Sequence, residues 1–212
     1  MWESVWGDTL RSILVSGCAT LLASAGGIPL GVYLGIKKIR GKSALKTVIY
    51  TFYGFPPVVM GLLVYLLLSS SGPLGFLHML FTLPAMILAE FLLAFPLILG
   101  ITMMTVASIP VEISDAINVL GGSKWQNLYL HLREARNGIL AAVMVGFGSA
   151  ISEVGAAMIV GGNIEGYTSV LTTSVMVSTR TGNFELAIWL SLVLLLVCLT
   201  IYAILAKLEG DR

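Results

Sequence analysis

Few residues in this chain have the types and spacing that do chemistry. Two carboxylates, Glu90 and Glu153, stand in runs that are otherwise apolar. Glu90 is the only formal charge between Lys46 and Glu112, and none lies between Arg136 and Glu153. A carboxylate in such a run is costly and points to function by default; the plain alternative is a hydrogen-bonded structural residue. Catalysis would need more than these two. His78 and His131 are isolated, and His131 reads as a solvated or docked surface residue. Cys18 and Cys198 lie deep in apolar runs and read as small core residues. There is no Gly-rich phosphate loop with a Lys, no His–Cys metal spacing and no nucleophile–base set. No catalytic residue, metal ligand, cofactor site or nucleic-acid partner is therefore expected in the chain itself.

Composition says what kind of element must hold the two carboxylates. Of 212 residues, 57% are hydrophobic and 11% charged. A soluble domain carries about a quarter charged residues. An all-α integral membrane protein follows, read as a single domain over residues 1–212. The N-terminal MWESVWGDTLR has no basic region of the kind that opens a cleaved signal, so the first apolar run is read as a permanent span.

Five spans are expected, at about residues 10–36, 45–68, 81–106, 139–159 and 186–206, each long enough to cross about 30 Å of hydrocarbon. The first is rich in small residues, which let helices approach closely in lipid. Its Gly26-Gly27-Ile28-Pro29 string predicts a kink or break. In the second, Gly54-Phe55-Pro56-Pro57 frees backbone carbonyls at membrane depth, as a packing kink or as part of a watery path. Glu90 falls in the third and Glu153 in the fourth. Lys and Arg set the orientation: five in residues 37–46, three in 112–136 and two in the tail, against Arg11 and Arg180 on the other side. The basic face is the cytoplasmic one. The N-terminus is then outside and the C-terminus inside a multi-pass cell membrane protein.

The longest polar interruption, residues 110–136, lies between the third and fourth spans. Pro110 suits a first helical turn. Glu112 and Asp115 complement the positive end of that helix. Ile113, Ala116, Ile117 and Leu120 form one apolar stripe. Gly121-Gly122 ends the helix, and Ser123 with Gln126 has capping-box spacing for a second one. Such an amphipathic helix either lies flat on headgroups or docks in a groove of a soluble partner.

The string Asp115-Ala116-x-x-x-Leu120-Gly121-Gly122-Ser123-x-Trp125 resembles the coupling loop of ABC importer permeases. Here Asp115 stands for the usual Glu, Ile117 for the second Ala and Gly122 for Ala. The resemblance extends to Tyr53–Leu62, Ser71–Gly75, Arg133–Arg136 and, most specifically, Ile151–Thr168 with Val170–Thr173. These look like the permeases of tungstate-type ABC importers, close to the molybdate and sulfate permeases.

That resemblance implies a type I importer permease with a cytoplasmic coupling helix carried by Glu112, Asp115, Ala116, Leu120, Gly121, Gly122 and Ser123. It implies a second copy of this chain, two ABC ATPase subunits that bind ATP and Mg, and an outside oxyanion-binding protein. The expected path and gate residues are Pro56, Pro57, Glu153, Gly155, Gly161, Gly162, Asn163, Thr168, Thr172 and Thr173. Since the spans hold no interior Lys or Arg, backbone N–H groups near Gly161 and Gly162 and the Thr168, Thr172 and Thr173 hydroxyls are the candidate donors to an anion. A carboxylate beside an anion path is electrostatically unsuited to binding, so Glu153 is expected to accept helix-to-helix or backbone hydrogen bonds, or a partner Arg. The rival class is a self-contained secondary anion carrier, with Glu90 and Glu153 as its coupling groups.

Overall fold

The computed structural model describes residues 2–37, 42–110, 119, 121 and 123–210. Among these the chain is helical, in nine α-helices joined by turns: α1 Trp2–Ile36, α2 Lys42–Tyr53, α3 Pro57–Leu68, α4 Leu83–Ala107, α5 Lys124–Glu134, α6 Arg136–Ile151, α7 Gly155–Gly161, α8 Leu171–Arg180 and α9 Phe184–Gly210. Three of them (α1, α4 and α9) are long and apolar enough to cross a membrane unbroken, and two bent pairs bring the possible spans to five.

The bent pairs fall where prolines and small residues prevent helix continuation. Helices α2 and α3 meet at 94°. Pro56 has an extended backbone and Pro57 sits in the first turn of α3, where its missing N–H costs nothing. Helices α6 and α7 meet at 57° across Ser152-Glu153-Val154. The fourth span, expected as one helix over 139–159, is thus two helices, the first starting at Arg136.

The first span departs from expectation in the opposite sense. Its helix begins at Trp2, eight residues before Leu10, and runs through Pro29 without a break. Gly27, expected to help interrupt it, serves packing instead, as do Gly31 and Gly35. A Cβ on Gly27 would lie 3.2 Å from the Leu99 nitrogen, one on Gly31 2.6 Å from the Leu99 oxygen, and one on Gly35 2.7 Å from Val106 Cβ. Residues four apart share one helix face. Val15, Ala19 and Ala23 continue the stripe and are fully buried. The stripe lets α1 lie backbone-close to α4, and that extended contact keeps the helix continuous past its proline.

Helix α4 is the central post. Ala85, Met86, Ala89 and Leu93 pack with Val15 of α1, Met60 and Val64 of α3, and Ala156, Ala157 and Val160 of α7. Helix α9 lies at the periphery, exposing Ile188, Leu192, Leu195, Leu196 and Leu199, a surface suited to lipid or to another apolar helix. Helix α8 occupies part of the connecting segment 161–185, for which no helix was expected. Cys18 is exposed on α1 rather than a core residue, and Cys198 is only partly buried. His131, expected at the surface, is 5% exposed, its Nδ1 2.8 Å from the Asn127 oxygen.

Candidate functional site

The two broken spans meet. Gly61 of α3 is so close to α7 that an added Cβ would lie 2.6 Å from Ala156 Cα, and one on Gly155 would lie 2.6 Å from Val58 Cγ2. Small residues on both sides bring the two interrupted backbones together. Pro56, Pro57, Glu153 and Gly155, far apart in sequence, therefore gather at one place. Pro56 and Pro57 are exposed there, while Glu153 is buried.

Glu153 serves the break itself. Its Oε1 accepts the Ala156 N–H at 2.8 Å, so the carboxylate caps the start of α7, where a negative charge meets free N–H groups. Its backbone N–H is bonded to the Ala150 oxygen at 3.1 Å. Its backbone oxygen accepts the Thr172 hydroxyl at 2.9 Å. The carboxylate thus engages backbone of its own chain, and the carbonyl ties α8 to the same point.

Helix α7 ends at Gly162, in the left-handed conformation with φ +72°. Asn163 follows, also left-handed at φ +48°, a geometry Asn tolerates better than most side chains. The loop beyond is closed by Thr168, whose hydroxyl donates to the Gly161 oxygen at 2.6 Å and accepts the Ile164 N–H at 2.9 Å. Thr173 donates to the Val170 oxygen at 3.0 Å and accepts the Val170 N–H at 3.1 Å, capping α8. All three threonines are buried. The hydroxyl protons expected to face an anion are, in this conformation, committed to the Gly161, Glu153 and Val170 carbonyls.

Glu90 is 2% exposed on α4, and its Oε2 has no hydrogen-bond partner among the described residues. Ser16 of α1 and Glu153 both lie close enough to act on the Glu90 carboxylate. The two carboxylates in the spans are therefore neighbours in the fold.

A third polar cluster escaped the sequence reading. Asp8 and Arg11, one turn apart on α1, form an ion pair at 2.6 Å. Arg11 Nε donates to the Ser169 oxygen at 2.7 Å. Asp8 also accepts the Ser169 hydroxyl at 2.8 Å and the Ser174 hydroxyl. Ser12 accepts the Leu171 N–H at 2.8 Å. This clasp binds the start of α1 to the loop before α8. An Asp and an Arg three residues apart are helix neighbours, a signal lost when the helix was taken to begin at Leu10.

On the opposite end, Gly121 is left-handed at φ +74°. Ser123 caps α5: its Oγ accepts the Gln126 N–H at 3.3 Å, and Gln126 Oε1 accepts the Ser123 N–H at 2.6 Å. The expected capping box is present; the helix that Gly121 and Gly122 were expected to end lies outside the described residues. Glu112, Asp115, Ala116, Leu120 and Gly122 lie outside the described residues.

Helices long and apolar enough to cross a membrane, two of them broken and meeting at a capped carboxylate, are the architecture of an integral membrane protein, and comparison with known proteins gives the family. Residues 27–210 match the model of the binding-protein-dependent transport system inner membrane component. The chain belongs to that family and is the membrane permease of an ABC transport system. It is 43% identical over 200 residues to a tungstate uptake system permease protein of Peptoclostridium acidaminophilum, covering 94% of this chain and 88% of the relative. It is 42% identical over 209 residues to a probable anion ABC transporter permease protein of Haloferax volcanii, covering 96% and 90%. In fold it is similar to a crystal structure of an amino acid ABC transporter with histidines, with TM-score 0.70 at 17% identity over 99% of this chain and 94% of that one.

Proposed function

We propose that two copies of this chain line a path that carries tungstate into the cytoplasm. Two ATPase subunits, which bind ATP and Mg, drive it from inside, and an oxyanion-binding protein delivers the anion from outside. The observation that carries this reading is the meeting of the α2–α3 and α6–α7 breaks at Glu153 and Gly155. Irregular backbone at membrane depth is tolerated where protein buries it or water reaches it. The exposed side of Pro56 and Pro57 supplies the second condition once another copy faces it across a twofold axis. Tungstate is favoured over molybdate or sulfate by the likeness to a tungstate uptake permease over nearly the whole chain.

The orientation proposed is N-terminus outside, from the ten-to-two distribution of Lys and Arg. It puts residues 110–136, with Gly121 and the capped α5, on the side of the ATPases. ATP binding draws the coupling segments together and opens the path outward; nucleotide release restores the inward state. The path carries no fixed cation, since no Lys or Arg falls between Arg11 and Lys37, between Lys46 and Lys124, or between Arg136 and Arg180. Weak, transient contacts let the anion leave, and selectivity rests with the binding protein.

Reconstitution tests the whole reading. Proteoliposomes holding this chain, its ATPase and its binding protein should accumulate tungstate only with ATP. Uptake by this chain alone would instead establish the secondary carrier.

A further inference from the structure

A groove of about 750 Å³ runs between the C-terminal half of α1 and helix α5. Ile28 and Val32 of α1 and Leu128 and Leu132 of α5 form its apolar walls. Two polar groups line it. Lys37 stands where α1 ends, close against Tyr33. Asn127 Oδ1 is buried and has no hydrogen-bond partner among the described residues. Tyr33 on α1 and Trp125 and Tyr129 on α5 are each more than half exposed. Such aromatic rings settle at headgroup level, which puts the groove at the membrane–water boundary. The chain continues from Lys37 into Lys38, Arg40 and Lys42.

We propose that this groove holds one anionic phospholipid of the cytoplasmic leaflet. An acyl chain lies along Ile28, Val32, Leu128 and Leu132, and the headgroup sits at Lys37 and Asn127. Charge decides the occupant. An apolar slot alone takes any lipid chain, but a slot lined by Lys37, the first of four cations within six residues of the sequence, selects a negative headgroup, as basic segments beside spans do. Asn127 adds a neutral acceptor, its Oδ1, suited to a hydroxyl of a glycerol headgroup. The lipid would brace α5, the arm leading from Gly121 to the fourth span, against α1. This rests on the orientation proposed above only for the choice of leaflet.

Native mass spectrometry of the detergent-purified chain with added phosphatidylglycerol or phosphatidylcholine of equal chain length tests it. Phosphatidylglycerol should be retained about fivefold better, the factor expected for one Lys near the charged surface. Lys37→Gln should abolish the preference and Lys37→Arg should keep it; Leu132→Trp, which fills the slot, should reduce retention of both lipids. Equal retention by the native chain, or an unchanged preference in Lys37→Gln, would overturn the proposal, as would a second copy found covering the groove. Folding of each variant is checked by its helical circular dichroism. Leaflet is read separately by labelling Lys37→Cys, in a Cys18→Ser, Cys198→Ser background, with an impermeant maleimide in right-side-out vesicles. Protection supports the cytoplasmic leaflet. Labelling would overturn that leaflet and the orientation together while leaving the lipid retention intact, so the two failures separate.

Discussion

The Thr172 hydroxyl donates to the Glu153 carbonyl at 2.9 Å, across nineteen residues of chain. This one bond fastens the first turn of α8 to the break between α6 and α7. At a helix break the last carbonyls of the incoming helix lose their intrahelical donors. Thr172 supplies one at the point where the fourth span changes direction by 57°. On the other side, α8 and the loop before it are held to α1 through Ser169, Ser174 and Leu171. The start of α1 is thereby linked mechanically to the centre of the proposed path.

Thr172→Val tests that link. Valine keeps the volume and removes the donor, leaving the Glu153 carbonyl unsatisfied at a buried site. The cost should be roughly 0.6 to 2 kcal/mol, the range of single polar contacts within membrane bundles. Thermal unfolding in detergent should show that loss, with slowed ATP-driven uptake, and Thr172→Ser should restore both. Normal stability and uptake in the valine variant would remove Thr172 from any role.

Glu153 is predicted to act through its acceptor oxygen rather than its charge. Glu153→Gln retains an oxygen for the Ala156 N–H, whereas Glu153→Ala loses the cap. Loss of an N-terminal cap costs about 1 kcal/mol. The alanine variant should be destabilised by that order. The glutamine variant should fold normally and keep its choice of oxyanion. Competition assays between tungstate and sulfate read the selectivity. A changed preference in Glu153→Gln, with assembly intact, would assign the carboxylate to the path instead.

The α1–α4 contact predicts strong position dependence among glycines of one helix. A Cβ at Gly31 would meet the Leu99 carbonyl at 2.6 Å and Thr102 Cβ at 2.8 Å, while one at Gly17 meets nothing within 4 Å. Overpacking a close contact costs about 1 to 3 kcal/mol. Gly31→Val should therefore lower the yield of monodisperse protein and its melting temperature, and Gly17→Ala should leave both unchanged. Equal behaviour of the two variants would contradict the packing described here.

How far these features were legible in the sequence follows from the range of the forces that set them. Breaks at Pro56 and Pro57 and the Ser123–Gln126 cap depend on neighbours in sequence, and they were readable. Whether Gly26-Gly27-Ile28-Pro29 interrupts a helix depends on Leu99 and Val106, some seventy residues away, and the local signal pointed the wrong way. The break at Glu153 has no proline; it becomes apparent only when Ala156 and Thr172 are seen to satisfy it. The Asp8–Arg11 clasp needed the true start of α1 and the position of Ser169. The threonines were found as a group, but their hydroxyl partners are carbonyls brought in by folding, so pattern alone assigned them to the anion.

Gly121 carries the most direct test of coupling. Its φ of +74° is one that a β-branched residue adopts only at a cost of about 1 to 3 kcal/mol. Gly121→Val should therefore redirect the chain entering α5 without disturbing α1, α4 or α9: a Cβ at Gly121 would meet nothing within 4 Å among the described residues. Membrane insertion and the melting temperature should stay near native. Stimulation of the partner ATPase by the loaded binding protein should fall at least tenfold, or the ATPase should no longer co-purify. Gly121→Asn, which tolerates the left-handed region, should restore much of the coupling. If valine and asparagine couple equally well, the left-handed turn at Gly121 is dispensable and residues 110–136 do not transmit force through it.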